Sequence, residues 1–168
     1  MADLPSDPLI AAWVALFRAS AGLISAVQGE VKAAGCPPLE WYDVLWDLER
    51  APEAGRRPFE LKGRLLLTQY NLSRLVDRLV KAGYVEKRPC PIDGRGQMLQ
   101  ITEEGKALRR RIWPVYQAAI QRHVGSHLTE PEAKLLSEML ARLIDGFRAH
   151  PGSCGLIQAR PEDTAGPA

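Results

Sequence analysis

Leu65-Leu66-Leu67-Thr68-Gln69-Tyr70-Asn71-Leu72-Ser73-Arg74-Leu75-Val76-Asp77-Arg78-Leu79-Val80-Lys81-Ala82-Gly83-Tyr84-Val85, followed by Glu86-Lys87-Arg88-Pro89-Cys90-Pro91-Ile92-Asp93-Gly94-Arg95-Gly96 and Met98-Leu99-Gln100-Ile101-Thr102-Glu103-Glu104-Gly105, decides the fold. Thr68 is a helix cap by residue type, and its hydroxyl can accept from the free amides of the first turn. Leu72, Leu75, Val76 and Leu79 then recur at helical spacing and form one apolar stripe. Gly83 supplies the left-handed residue that ends the helix. Tyr84–Arg88 and Met98–Ile101 read as two strands, with the turn residues Pro91, Asp93, Gly94 and Gly96 between them. Thr102, followed by Glu103 and Glu104, opens another helix, where the dipole favours acidic residues.

Upstream, Pro58 starts a short helix through Glu60-Leu61 toward Leu66, weakened by Gly63. A short helix, a tight turn, a capped helix and a two-stranded ribbon with a charged tip make a winged helix-turn-helix, the unit that sets one helix in a DNA groove.

Further out, Asp7-Pro8 reads as a helix start, with Asp7 as cap. Ile10, Trp13, Val14, Phe17, Ala21, Ile24, Val27 and Val31 follow at helical spacing, until Gly35 and Pro37-Pro38 stop the run. A second helix carries Trp41, Tyr42, Leu45, Trp46 and Leu48. After the ribbon, Leu108, Ile112, Val115, Tyr116, Ala119, Ile120 and His123 mark a helix with Pro114 inside it, which predicts a kink. Thr129-Glu130-Pro131-Glu132 opens the last helix, with Leu135, Leu136, Met139, Leu140, Leu143 and Phe147. The fold expected is mainly α with a small β-wing. Residues 7–50 and 103–150 supply helices for dimerisation and core, 51–102 form the DNA-binding lobe, and 151–168, rich in Gly, Pro and Ala, form a mobile tail.

The net charge of +2 says little about partners, but its distribution says more. Residues 56–111 hold 14 basic and 6 acidic residues, a net of +8, and the remainder holds 8 and 14, a net of −6. A basic segment in an otherwise acidic chain suits a polyanion. No apolar run approaches the ~18 residues of a membrane span, so no transmembrane helix and no membrane partner are expected, and the first residues lack the pattern of a signal peptide. The chain is therefore expected to be cytoplasmic. Cys36, Cys90 and Cys154 are too few and too scattered for a disulfide framework or a zinc site. His123 and His127 stand four apart, but Gly125 between them argues against a shared metal. No nucleophile–base pairing, phosphate loop or metal spacing suggests an enzyme, and no cofactor is implied.

With the apolar stripe facing inward, the capped helix presents Gln69, Tyr70, Asn71, Ser73, Arg74, Asp77, Arg78 and Lys81 outward. Asn and Gln pair with adenine and Arg with guanine, whereas Arg78 and Lys81, further along, suit phosphates. Arg95 at the ribbon tip, steadied by Asp93, fits a minor groove. The DNA-binding set is thus Thr68, Gln69, Tyr70, Asn71, Ser73, Arg74, Arg78, Lys81, Asp93 and Arg95. Trp13, Phe17, Trp41, Tyr42, Trp46 and Tyr116 either line a pocket for an apolar ring or are plain core.

From about Asp7 to His150 the chain resembles the MarR (multiple-antibiotic-resistance regulator) family. The resemblance rests on Glu60-Leu61 with Leu65-Leu66-Leu67, Ser73–Leu79, Gly83–Arg88, Asp93–Gly96 and Leu99–Gly105. Leu61-Lys62-Gly63 stands where the family often has Leu-Ala-Glu. The resemblance implies a homodimeric transcriptional regulator binding a pseudo-palindromic operator near its own promoter, usually as a repressor. It also implies release by a small aromatic or phenolic effector held between the dimerisation helices and the DNA-binding lobe. The same residues leave open an architectural or protein-interaction module without sequence-specific readout.

Overall fold

The computed structural model describes residues 4–65, 69–90 and 96–149. In chain order it contains α1 (Asp7–Ala33), α2 (Leu39–Glu49), α3 (Pro58–Arg64), α4 (Gln69–Lys81), β1 (Val85–Pro89), β2 (Gln97–Ile101), α5 (Glu103–Ile120), a π-helical turn (Gln121–Gly125) and α6 (Glu130–Ala149). The two strands pair antiparallel, Val85 opposite Ile101 and Pro89 opposite Gln97. Each strand is shifted by one residue from its expected start or end, because the pairing register rather than side-chain pattern sets strand limits.

The core lies where α2, α4, the ribbon and α5 converge. Leu45, Leu48, Leu61, Leu72, Leu75, Val76, Leu79, Val85, Leu99, Leu108 and Ile112 form one buried cluster. Every member of the α4 stripe is at most 4% exposed. Gly83 ends α4 with φ +80°, a conformation that disfavours any side chain. The Thr102 hydroxyl joins both ends of the ribbon: it accepts from the Gly105 amide at 3.0 Å and donates to the Gly83 carbonyl at 2.7 Å.

Four expectations need correction. Ser6, not Asp7, occupies the cap position of α1 and makes no side-chain cap bond, while Asp7 lies in the first turn. Helix α3 ends at Arg64 rather than near Leu66. Helix α5 runs through Pro114 without interruption, and the irregularity falls later, in the π turn. There Glu30 of α1 pairs with Arg122 and His123, each at 2.7 Å. His123 and His127 therefore do not share the face of a regular helix.

The fourth concerns α1, which by length and composition is apolar enough to cross a membrane. Counting apolar runs missed this, because the breaks between Leu9 and Val27 are Arg18, Ser20, Gly22 and Ser25, only one of them charged. Within the chain α1 buries only Val27 and Val31 and packs on α5. Leu9, Ile10, Trp13, Val14, Phe17 and Ile24 are exposed, and so are Leu135, Leu136, Met139 and Leu143 of α6.

Candidate nucleic-acid interface

Helix α4 is amphipathic because its four core positions share one stripe. The opposite face carries the exposed Asn71, Ser73, Arg74, Asp77, Arg78 and Lys81. Gln69 and Tyr70 form the first turn of the helix, but their side chains lie outside the described residues, as do Thr68, Asp93, Arg95, His150 and the tail. Helix α3 precedes α4 and packs on it and on β2. Its start is fixed by the Arg57 amide, which donates to the Glu60 carboxylate at 2.9 Å.

Contacts across this lobe fix the ribbon against α4. Lys87 of β1 reaches Asp77 of α4 at 2.7 Å. This assigns Asp77 to an intramolecular pair, so the outward cations are Arg74, Arg78 and Lys81. Arg88 pairs with Glu86 at 2.5 Å along the same strand. Cys90 is buried, and Arg57 Nη2 donates to its Sγ at 3.2 Å. A cleft of about 610 Å³ opens between α2 and α4, lined by Pro38, Glu40, Asn71, Arg74, Leu75, Asp77 and Arg78.

The six aromatic candidates divide. Tyr42 stacks on Trp46 at 6.5 Å between centroids and meets Tyr116 edge-on at 5.1 Å. Trp113, which the sequence reading did not select, completes this group at 5.9 Å from Tyr42 and 6.0 Å from Tyr116. Trp41 instead packs edge-on against Tyr84 at 5.8 Å. Trp13 and Phe17 stack on each other along the exposed face of α1, at 6.2 Å. Burial pushes the Tyr116 hydroxyl up to about 12, helped by the charge of Asp43 and by Tyr42. Asp43 itself is pushed up to about 6, first by burial and then by repulsion from Glu40. Among the described residues no group of three or more His, Cys, Asp or Glu is placed to hold a metal.

Residues 35–96, from the end of α1 through α4 and β1, match the model of the MarR family. The chain is 31% identical to the multiple antibiotic resistance protein MarR of Escherichia coli (strain K12) over 87 residues, 52% of this chain and 60% of that protein. With the HTH-type transcriptional regulator MhqR of Bacillus subtilis (strain 168) it shares 28% identity over 132 residues, 78% of this chain and 88% of that protein. The crystal structure of Sco3205, a MarR family transcriptional regulator from Streptomyces coelicolor, in complex with DNA, superposes with a TM-score of 0.81. That match has 27% identity and covers 95% of this chain and 99% of the other. Over this region the chain is similar to regulators of the MarR family. The matched stretch takes in α3, α4 and β1, and the relatives it resembles are named as transcriptional regulators.

Proposed function

We propose that the chain is a sequence-specific DNA-binding transcriptional regulator acting as a homodimer in the cytoplasm, and that it represses until a small effector releases it. One observation carries the DNA half. The exposed face of α4 bears Arg74, Arg78 and Lys81, while the opposite face is wholly buried in a lobe like that of a regulator solved with DNA. Residues 51–102 are read as the DNA-binding lobe, with Gln69, Tyr70, Asn71, Ser73 and Arg74 toward bases, and Thr68, Arg78 and Lys81 toward the backbone. Asp93 and Arg95 are assigned to the adjacent minor groove.

The dimer reading rests on α1 and α6, from residues 7–50 and 103–150, whose apolar faces are unburied in one chain. Apolar helix faces left uncovered in one chain suit an interface, and two-fold symmetry places two recognition helices on half-sites one turn apart. For the effector, the Tyr42–Trp46–Trp113–Tyr116 cluster offers apolar rings, with Arg50 and Arg109 over Trp46, which suits a small aromatic or phenolic molecule. Such a molecule needs only to favour the geometry in which the two helices no longer match their half-sites.

Anisotropy binding to the DNA upstream of its own coding sequence, beside a scrambled duplex at physiological salt, tests the reading. Tight binding to the first and weak binding to the second is expected. Equal, steeply salt-dependent binding to both would replace sequence readout by architectural binding through the basic lobe.

A further inference from the structure

Building on the DNA-binding reading above, we infer that Asp47 and Arg56 are positioning residues: their buried ion pair is the joint that sets the pose of the wing on DNA, although neither residue belongs to the DNA-contact set.

The wing is a two-stranded ribbon, and such a ribbon holds no fixed direction by itself. Its inner strand is held from outside at two points. Arg56, in the loop between α2 and α3, makes a two-way bridge with Leu99 of β2: its amide donates to the Leu99 carbonyl at 3.0 Å and its carbonyl accepts from the Leu99 amide at 2.8 Å. One residue along β2, the Gln100 side chain donates to the Glu53 carbonyl in the same loop. Gly55 makes this close approach feasible, since at φ +87° a Cβ there would lie 2.6 Å from the Leu99 carbonyl oxygen.

The loop thus helps to direct the wing, and a buried side-chain contact ties the loop to α2. Arg56 Nε lies 2.6 Å from Asp47 Oδ2 in the last turns of α2, with the two side chains only 13% and 8% exposed. A buried ion pair stabilises no better than a well-packed apolar pair, and often less well. What it adds is a fixed meeting point, because pulling two buried opposite charges apart would leave each unpaired, whereas an apolar contact is free to slide. The same stretch of α2 is clamped by α5: Arg109 pairs with Glu49, and its guanidinium lies 4.9 Å from the Trp46 ring, on which Arg50 also packs at 5.2 Å. The wing and α5 thus share one anchor.

The test combines hydroxyl-radical footprinting and anisotropy on the full chain with its upstream DNA. The pair is replaced by apolar residues of similar size, Asp47→Leu with Arg56→Met, which a fold tolerates better than a single broken charge. A second variant, Arg56→Lys, keeps the charge and the backbone bridge but loses the planar fork. The double variant should keep its melting temperature and self-association, and should protect the central major-groove positions as the unaltered chain does. It should lose protection in the flanking minor grooves and bind about 5–50-fold more weakly. The plot of log affinity against log salt should flatten by about 0.9 for every phosphate that the wing no longer neutralises. Arg56→Lys should lose part of the protection at the same flanking positions.

An unchanged footprint and affinity in both variants would overturn the joint while leaving the DNA reading intact. Uniform weakening at every position together with a lowered melting temperature would also overturn it, since that is the mark of a merely structural pair. Absence of any sequence-dependent footprint from the unaltered chain would overturn the DNA reading and this inference with it.

Discussion

Helices α4 and α1 both carry many apolar residues, yet they are completed in different ways. Helix α4 finds its apolar partner within the chain, with Leu72, Leu75, Val76 and Leu79 closed by α2, α3 and the ribbon, and only its polar face remains exposed. Helix α1 leaves most of its apolar residues uncovered, with Trp13 and Phe17 each more than 60% exposed, and joins the chain only near its C-terminal end. Exposed polar residues on a buried helix point to a ligand that takes polar contacts. Exposed apolar residues on an unburied helix point to more protein. On the proposed function, the two regions divide the work of the molecule into reading and pairing.

The largest expected effect breaks the pairing side. Trp13→Asp with Phe17→Asp removes two large apolar contacts, each worth about 1.5–3 kcal/mol, and sets carboxylates in their place. Sedimentation velocity at micromolar concentration should find the dimer converted to monomer; an undisturbed dimer would mean that the α1 face is covered by something else. On the reading side, Leu79→Ala should cost about 2–5 kcal/mol of stability by opening a cavity under the exposed face. Urea unfolding should record it, and a loss under about 1 kcal/mol would imply that α4 is not anchored as described.

Arg74→Ala is smaller and more selective. Operator affinity should fall by about 1–3 kcal/mol while scrambled DNA is bound as before. Equal losses on both duplexes would make Arg74 a phosphate contact. The smallest effect has the opposite sign. The folded-state value of Asp43, about 6, lies above the ~3.9 of an unfolded aspartate. Ionising it therefore works against the fold, and stability is lost as pH rises from about 4 through 6. Asp43→Asn removes that loss and should raise stability at pH 7 by about 1–2 kcal/mol, discounted for the residual exposure of the carboxyl. Unfolding at pH 7 and pH 4 should show the gain at the higher pH only, and a gain at both would point to packing instead.

Much of this was legible in the sequence because it is local. The stripe of α4, Gly83 at its end and the Thr102 cap each depend on residues within a turn or two of one another. The ribbon followed from its turn residues, although its register did not, since that depends on the pairing of Val85 with Ile101. What escaped depends on distance. Trp113 joins Tyr42 from another helix, Lys87 takes Asp77 out of the outward set, and Asp47 meets Arg56 across a loop whose path only Gly55 permits. No spacing rule announces such pairs. The apolar character of α1 was underestimated for a different reason, since single serines and a glycine interrupt a run without adding charge.

The most direct test of the central claim inserts half a helical turn, about 5 bp, between the two half-sites of the operator, with a full-turn insertion of about 10 bp as its control. Two recognition helices fixed by one dimer predict that the half-turn insertion abolishes tight binding and that the full turn spoils it less, because it restores the facing of the grooves. Equal affinity for the original and half-turn sites would contradict a rigid dimer reading paired half-sites.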